Sequence, residues 1–457
     1  MTDAFNTLPL PAPLLAGLDA LGYRQMTPIQ AQALPIILAG HDLIAQAKTG
    51  SGKTCAFALG LLAPLNPRYF GCQALVLCPT RELADQVAKE IRALARGLGN
   101  VKVLTLCGGV PFGPQIGSLE HGAHVVVGTP GRVLEHLNRG TLKLDGLSRL
   151  VLDEADRMLD MGFVDAISAI VEQTPSRRQT LLFSATYPEG IEQLAARFLR
   201  QPQRVEVESR HDQQQIEQRF YEVAPAQRLD ALARLLLHFA PQAAVVFCQT
   251  RQQCQEAAAM LEARKISAQA LHGDLDQRER DQVLAMFANR SCRVLVATDV
   301  AARGLDIDAI EAVINLELAR DPAVHVHRIG RSGRAGAKGL ALSLVAPGEA
   351  GRANAIEALQ QAPLHWGNLE LLKPREERLL PPMATVSLNG GRKDKLRAGD
   401  ILGALTGEGG LPGSAIGKIA LHDFAAYVAV EREQARAAVE RLNGRKVKGR
   451  QYKARLL

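Results

Sequence analysis

Aromatic side chains are scarce: Phe, Tyr and Trp make up 4% of the 457 residues, with a single Trp. Cores must therefore be built mostly from aliphatic chains, and surfaces for stacking nucleobases are few. The seven cysteines (55, 72, 78, 107, 248, 254 and 292) are odd in number, scattered, and never in C-x-x-C spacing. That argues against a zinc knuckle or a disulfide framework and for a reducing compartment. His325 and His327 would share a face on a strand, but no third ligand stands nearby, so no metal site is expected there. No apolar run reaches the ~18 residues that a membrane-spanning helix needs. Met1-Thr2-Asp3-Ala4-Phe5 lacks the basic flank and apolar core of a secretory signal. A cytoplasmic protein with no membrane partner is expected.

Most of the chain also lacks net charge. Of the 54 Lys+Arg and 47 Asp+Glu, 14 and 7 fall between Met383 and Leu457, leaving 40 of each sign before them. The whole formal charge of +7 thus sits in the last 75 residues. A basic terminal module on a neutral body suggests a polyanion partner.

Against these absences stand two motifs. Ala47-Lys48-Thr49-Gly50-Ser51-Gly52-Lys53-Thr54 reads as a phosphate-cradling loop, although the strict pattern places Gly where this chain has Ala47. Its glycines let backbone N–H groups approach phosphates. Lys53 supplies a point charge near the β and γ phosphates, and Thr54 can ligate Mg²⁺. Thr49, Gly50, Ser51 and Gly52 complete the cradle. Roughly a hundred residues on, Asp153-Glu154-Ala155-Asp156 closes the apolar run Leu150-Val151-Leu152. Asp153 fits the metal-side carboxylate, and Glu154 can orient or deprotonate an attacking water. The pair describes a machine that binds Mg-nucleotide and attacks its terminal phosphate with a positioned water.

At 457 residues the chain exceeds one ordinary core and implies two or three domains. Short apolar runs alternate with helical patterns in two blocks. Ala74–Cys78, Val125–Val127, Leu150–Leu152 and Thr180–Phe183 read as buried parallel strands of the first. Ala244–Phe247, Arg293–Val296, Ala312–Ile314 and Leu340–Leu344 play that part in the second. Open α/β sheets of this kind bind ligands beyond the carboxyl ends of their strands. Polar clusters stand at those positions in both blocks. Residues 208–215 read as a hinge linker, and Pro374 to Pro382 as a second break.

In order, these residues resemble the DEAD-box RNA helicase family over about residues 5–345. The likeness rests on Phe5 and Gly22-Tyr23-Arg24-Gln25-Met26-Thr27-Pro28-Ile29-Gln30, the phosphate loop, and Pro79-Thr80-Arg81-Glu82-Leu83-Ala84. It continues through Gly108-Gly109, Thr129-Pro130-Gly131-Arg132, the acidic tetrad and Ser184-Ala185-Thr186. The second block adds Gln277-Arg278-Glu279-Arg280, Ala297-Thr298-Asp299 through Asp306, and His327-Arg328-Ile329-Gly330-Arg331-Ser332-Gly333-Arg334. The resemblance implies two RecA-like parallel-sheet P-loop domains in tandem, 1–207 and 216–370.

It also implies roles. Gln30 would read the adenine edge with its amide while Tyr23 lies against the ring, and Asp306 would contact the ribose. Arg331 and Arg334 would meet the developing charge on the γ phosphate. Ser184, Thr186 and His327 would couple nucleotide to RNA. Pro79, Thr80, Arg81, Gly108, Gly109, Thr129, Arg132, Arg280 and Thr298 would grip RNA through phosphates and 2′-hydroxyls, not base edges. Since both lobes contribute, hydrolysis is expected to require closure on ATP and RNA.

From 383 to 457 the pattern β-α-β-β-α-β has the topology of an RNA-recognition motif. Its strands are expected at Ala384–Leu388, Ile416–Leu421, Ala426–Val430 and Tyr452–Leu456, with a helix over Glu433–Asn443. Phe424 and Tyr427 are the only aromatics near the strand that normally stacks bases. Recognition is therefore assigned to Arg392, Lys393 and Lys395, with Arg445, Lys446, Lys448, Arg450 and Lys453. Core and tail together look like the DbpA subfamily, which implies a monomer addressed to 23S ribosomal RNA in the 50S precursor. Two rivals remain open: an assembly factor whose ATPase only times its release, and a DNA translocase.

Overall fold

The computed structural model describes residues 4–47, 50–187, 189–207, 216–302, 310–333 and 339–457. The chain divides into two compact units, the first carrying one sheet and the second carrying two. The expected linker over 208–215 lies outside the described residues.

The first sheet contains β1 (Leu43–Gln46), β2 (Ala74–Leu77), β3 (Val103–Leu106), β4 (Val125–Gly128), β5 (Arg149–Leu152), β6 (Gln179–Ser184) and β7 (Gln203–Glu206). All pairings are parallel, in the order β3-β4-β2-β5-β6-β1-β7. Strands β2, β4 and β6 are buried throughout, which is why they read as unbroken apolar runs. Edge strand β7 alternates instead: only Val205 of Gln203-Arg204-Val205-Glu206 is buried, and the apolar-run criterion passed it by.

Helices cover both faces. Arg81–Leu94 shows why they form where they do. It starts at Thr80, whose Oγ1 accepts a hydrogen bond from Leu83 N at 3.3 Å. It then turns Leu83, Ala84, Val87, Ala88, Ile91 and Leu94 toward the core at three-to-four-residue spacing.

The second unit repeats the plan with β8 (Ile216–Glu222), β9 (Ala244–Cys248), β10 (Ala268–Leu271), β11 (Val294–Thr298), β12 (Ala312–Asn315), β13 (Gly339–Val345) and β14 (Trp366–Gly367). The order is β10-β11-β9-β12-β13-β8-β14, again parallel. Its last sheet is antiparallel: β15 (Met383–Leu388), β16 (Ile416–Leu421), β17 (Ala426–Glu431) and β18 (Ala454–Leu456), ordered β16-β17-β15-β18. Helices Ala398–Thr406 and Ala435–Gly444 pack on one face over Val386, Leu388, Val428 and Val430. The β-α-β-β-α-β order stands, with β18 starting two residues later than expected.

The other face of this small sheet is buried too, against helix Gln277–Ala288 of the same unit. Tyr427 is 1% exposed and packs with Ala285 and Ala425. Asn289 Nδ2 donates to Thr385 Oγ1 at 2.9 Å, and His422 Nδ1 lies 3.1 Å from Asp281 Oδ2.

The histidines at 325 and 327 do not share a strand face. They lie on helix Pro322–Ile329, where residues two apart point in different directions. His325 is fully buried against Phe220. All seven cysteines are buried and unpaired, and burial pushes the thiols of Cys55, Cys72, Cys107 and Cys292 up to about 12. Among the described residues no helix is long and apolar enough to cross a membrane.

Burial also lowers two imidazoles, His136 and His325, from 6.5 to about 4, so both stay neutral in the fold. The unfolded chain then binds more protons than the folded one between those values. Stability from these groups is complete above about pH 6.5 and declines as the pH falls toward 4. A melting temperature followed over that range should drop, and His136→Gln should make the drop shallower; an unchanged slope would show that His136 is not a source of it.

Candidate nucleotide site and nucleic-acid interface

The strand order brings the two chemical motifs together. Strands β5, β6 and β1 are consecutive neighbours, so the acidic tetrad, Ser184–Thr186 and the phosphate loop leave the sheet side by side. Ala47 N donates to Ser184 O at 3.0 Å, binding the start of the loop to the end of β6. Gly50 and Gly52 take φ +84° and +92°, the left-handed region that favours glycine. Space restricts Gly52 as well, since a Cβ there would lie 2.5 Å from Gln30 Nε2. Lys53 begins helix Lys53–Leu62, with its Nζ 2.7 Å from Ala47 O inside the loop. The helix N-terminus adds backbone donors and a positive dipole end for an anion. Ser51 Oγ is buried with no hydrogen-bond partner among the described residues, so its donor remains for a phosphate oxygen. Thr49 lies outside the described residues.

Gln30 closes the loop from the other side. Its Oε1 accepts from Thr27 N at 2.9 Å, and its Nε2 donates to Gly52 O at 3.1 Å. An amide has two lone pairs on oxygen and two N–H groups, so one of each is still available for an adenine edge. Tyr23 is 40% exposed.

Three carboxylates of the tetrad are withdrawn from water: Asp153 is 3%, Glu154 5% and Asp156 5% exposed. Each is treated differently. Asp156 Oδ2 accepts from both Thr186 N (2.9 Å) and Thr186 Oγ1 (2.8 Å), while Asp156 N lies 3.3 Å from Ser184 Oγ. This couples the tetrad to Ser184 and Thr186, and Asp156 is a member that the sequence motif contains without revealing its partners. Glu154 forms an ion pair with Arg157 at 3.0 Å. Asp153 accepts from Glu154 N at 3.0 Å. Burial pushes its carboxyl up to about 7 despite the opposing charge of Lys53. A buried carboxylate raised in this way is a donor of the kind that suits a hard divalent cation.

The remaining first-unit residues lie along the same sheet edge, beyond β2, β4 and β3. Pro79, Thr80 and Arg81 follow β2; Thr129 and Arg132 follow β4; Gly108 and Gly109 follow β3. Arg132 is already engaged: Nη1 reaches Val110 O at 3.1 Å and Gln115 Oε1 at 2.9 Å, and Nε pairs with Glu135 at 3.0 Å. Gln115 was missed by sequence reasoning. Its oxygen also lies 2.9 Å from His136 Nε2, and its amide donates to Cys107 O at 3.0 Å, just before Gly108. Only the tertiary structure shows that one buried amide braces the Gly108–Gly109 turn against Arg132.

In the second unit Thr298 ends β11, and Arg280 lies on Gln277–Ala288. Arg331 is 5% exposed and His327 lies on Pro322–Ile329. Arg328, also missed, is 2% exposed. It pairs with both oxygens of Asp299 at 2.7 Å and reaches Asn315 Oδ1 at 3.0 Å. Asp306 and Arg334 lie outside the described residues.

In the tail, Arg392, Lys393 and Lys395 are exposed on the loop after β15. Arg392 N and Lys393 N donate to His422 O and Asp423 O, at 2.8 and 2.9 Å, which fixes this loop to the β16–β17 hairpin. Gly391 is needed for that approach, because a Cβ would meet His422 O at 2.2 Å. Lys448 Nζ donates to Lys395 O at 2.8 Å, so the second basic stretch joins the first. Tyr427 is buried and cannot stack a base, whereas Phe424 is 72% exposed at the hairpin tip.

Comparison with known proteins agrees with this architecture. Residues 27–194 match the DEAD/DEAH box helicase family, 227–336 the helicase conserved C-terminal domain, and 385–456 the DbpA RNA binding domain. The chain is 55% identical over 459 residues to the ATP-dependent RNA helicase DbpA of Escherichia coli (strain K12), covering 99% of each. It is 43% identical over 358 residues to the DEAD-box ATP-dependent RNA helicase CshA of Bacillus subtilis (strain 168), covering 78% of this chain and 72% of that one. A solved structure of S. cerevisiae Dbp5 bound to RNA and ADP BeF3 superposes with a TM-score of 0.74 at 31% identity. That match covers 80% of this chain and 96% of the other. The chain belongs to the DEAD-box family of ATP-dependent RNA helicases. Within it, the tail places the chain in the DbpA subfamily.

The adenine contact expected of Gln30 is testable, since its bonds to Thr27 and Gly52 leave part of the amide free. Gln30→Ala should erode the preference for ATP over GTP by roughly 1–3 kcal/mol, by analogy with bidentate base readout. The ratio of kcat/KM for the two nucleotides measures it; GTP competing no better than before would leave Gln30 a purely structural cap.

Proposed function

We propose that this RNA helicase opens short RNA duplexes locally under ATP hydrolysis and is addressed by its tail to large-subunit ribosomal RNA in the 50S precursor. It would act as a cytoplasmic monomer organised as 1–207, 216–370 and 383–457. The observation that carries the address is the basic cluster on the tail. Arg392 and Lys393 are held by backbone bonds to the β16–β17 hairpin, and Lys395 is joined by Lys448, in the stretch of 75 residues that carries a formal charge of +7. The full-length identity to E. coli DbpA supports the same reading.

In the nucleotide site, Gln30 and Tyr23 select adenine, and Asp306 holds the ribose. The loop from Thr49 to Thr54 cradles the phosphates. Asp153 and Thr54 would hold Mg²⁺, which when bound neutralises charge on the phosphate oxygens. Glu154 takes the proton of the attacking water, and Arg331 and Arg334 stabilise the charge that grows on the γ phosphate. Asp156, through Ser184 and Thr186, transmits the state of the tetrad, and His327 does so from the second unit. RNA is gripped through Pro79–Arg81, Gly108–Gly109, Thr129, Arg132, Arg280 and Thr298, without reading base edges. The polar reach of these groups suits phosphates and 2′-hydroxyls and favours RNA over DNA.

Glu154→Gln should lower RNA-stimulated ATP turnover by about 10²–10⁴, the scale of one general base, while ATP-dependent RNA binding persists. Near-normal turnover in the purified variant would remove Glu154 from the role. The address is tested by reversing Arg392, Lys393 and Lys395 to Glu in the full chain. ATPase stimulation by a ribosomal RNA fragment should then need at least about tenfold more RNA, while stimulation by saturating random RNA stays unchanged. Equal preference for the two RNAs before and after the change would show that the cluster is not the address.

A further inference from the structure

Glu154 stands where the chain turns out of β5 into the short helix Ala155–Asp160, and it does so in the left-handed region, at φ 52° and ψ 52°. A residue with a side chain adopts that conformation at a cost, and persists there only when its surroundings fix it. The surroundings include Arg157, three residues on, one turn into the helix. Its Nη1 donates to Glu154 Oε2 at 3.0 Å, and the two side chains are 8% and 6% exposed. Among the described residues, this is the one hydrogen bond or ion pair that each of these side chains makes with another side chain. A buried guanidinium is expensive to desolvate and is usually surrounded by several acceptors. Here it is spent on a single oxygen of one carboxylate.

We propose that Arg157 is a positioning residue for hydrolysis: it holds one oxygen of Glu154 in place and leaves the other for the attacking water. The inference rests on the reading of Glu154 as the base. A carboxylate on a Glu side chain has three torsions to fix, and water must be met at hydrogen-bond distance in a narrow range of angles. The left-handed turn sets where the side chain starts, and the guanidinium sets where it ends. Asp153 and Asp156 need no such help, because each accepts from a backbone N–H.

The test is a double-substitution cycle in the full chain with Arg157→Met, Glu154→Gln and both together, measuring RNA-stimulated kcat, KM for ATP and melting temperature. If Arg157 acts through Glu154, Arg157→Met should lower kcat about 10–100-fold, the scale of a displaced reacting group, with KM changed less than about threefold. In the Glu154→Gln background the same change should cost less than about twofold. Equal losses in both backgrounds, or a raised KM with unchanged kcat, would overturn the proposal. If Arg157→Met does not fold, Arg157→Lys carries the test. An ammonium keeps the charge without the planar fork, so kcat should fall several-fold when Glu154 is present and remain level when it is Gln. A failure of the base assignment itself shows separately, as normal turnover in Glu154→Gln alone.

Discussion

Three carboxylates within four residues are removed from water at the end of β5, and much of the first unit is arranged around that charge. Ionised groups in a low-dielectric interior either find partners or lose their charge. Asp156 is satisfied by the Thr186 amide and hydroxyl, and Glu154 by Arg157. Asp153 accepts a single backbone N–H, and burial raises its carboxyl to about 7 against the opposing charge of Lys53. The imbalance falls where a cation-bearing triphosphate would correct it. Strand order makes this possible, because β6 lies between β5 and β1 and brings acid and phosphate loop within electrostatic reach.

How much of this could be read in the sequence depended on how local the cause was. Buried strands such as β2 and β4 appear as apolar runs because both faces are covered, and the loop 47–54 is recognisable because its glycines and lysine act on their own neighbours. Strands β7 and β8 are rich in polar residues, and nothing in Gln203-Arg204-Val205-Glu206 separates an edge strand from a loop. The spacing of His325 and His327 would align them only on a strand, and the helix Pro322–Ile329 that carries them turns them apart. Gln115, Arg328 and Arg157 stayed out of view for a different reason. Arg157 directly follows the acidic tetrad, yet its partner was not evident until the left-handed turn at Glu154 was seen.

The tail shows the same division. Its topology and its charge were legible, since one follows from alternation and the other from counting. The fate of Tyr427 was not. An aromatic on the strand that would carry base-stacking residues is instead covered by a helix 140 residues earlier in the chain, through Ala285, with Asn289 and Asp281 bonding beside it.

That covered face has a mechanical consequence. A module joined only by a string of residues would act as a leash, letting the enzyme search around a captured RNA. Here the small sheet is bolted across its breadth to the helix that carries Arg280, so it works as a handle. The basic loop after β15 is therefore carried along with the helix Gln277–Ala288 and the second parallel sheet. Wherever that sheet goes, the charge of the tail goes with it at an unchanged spacing.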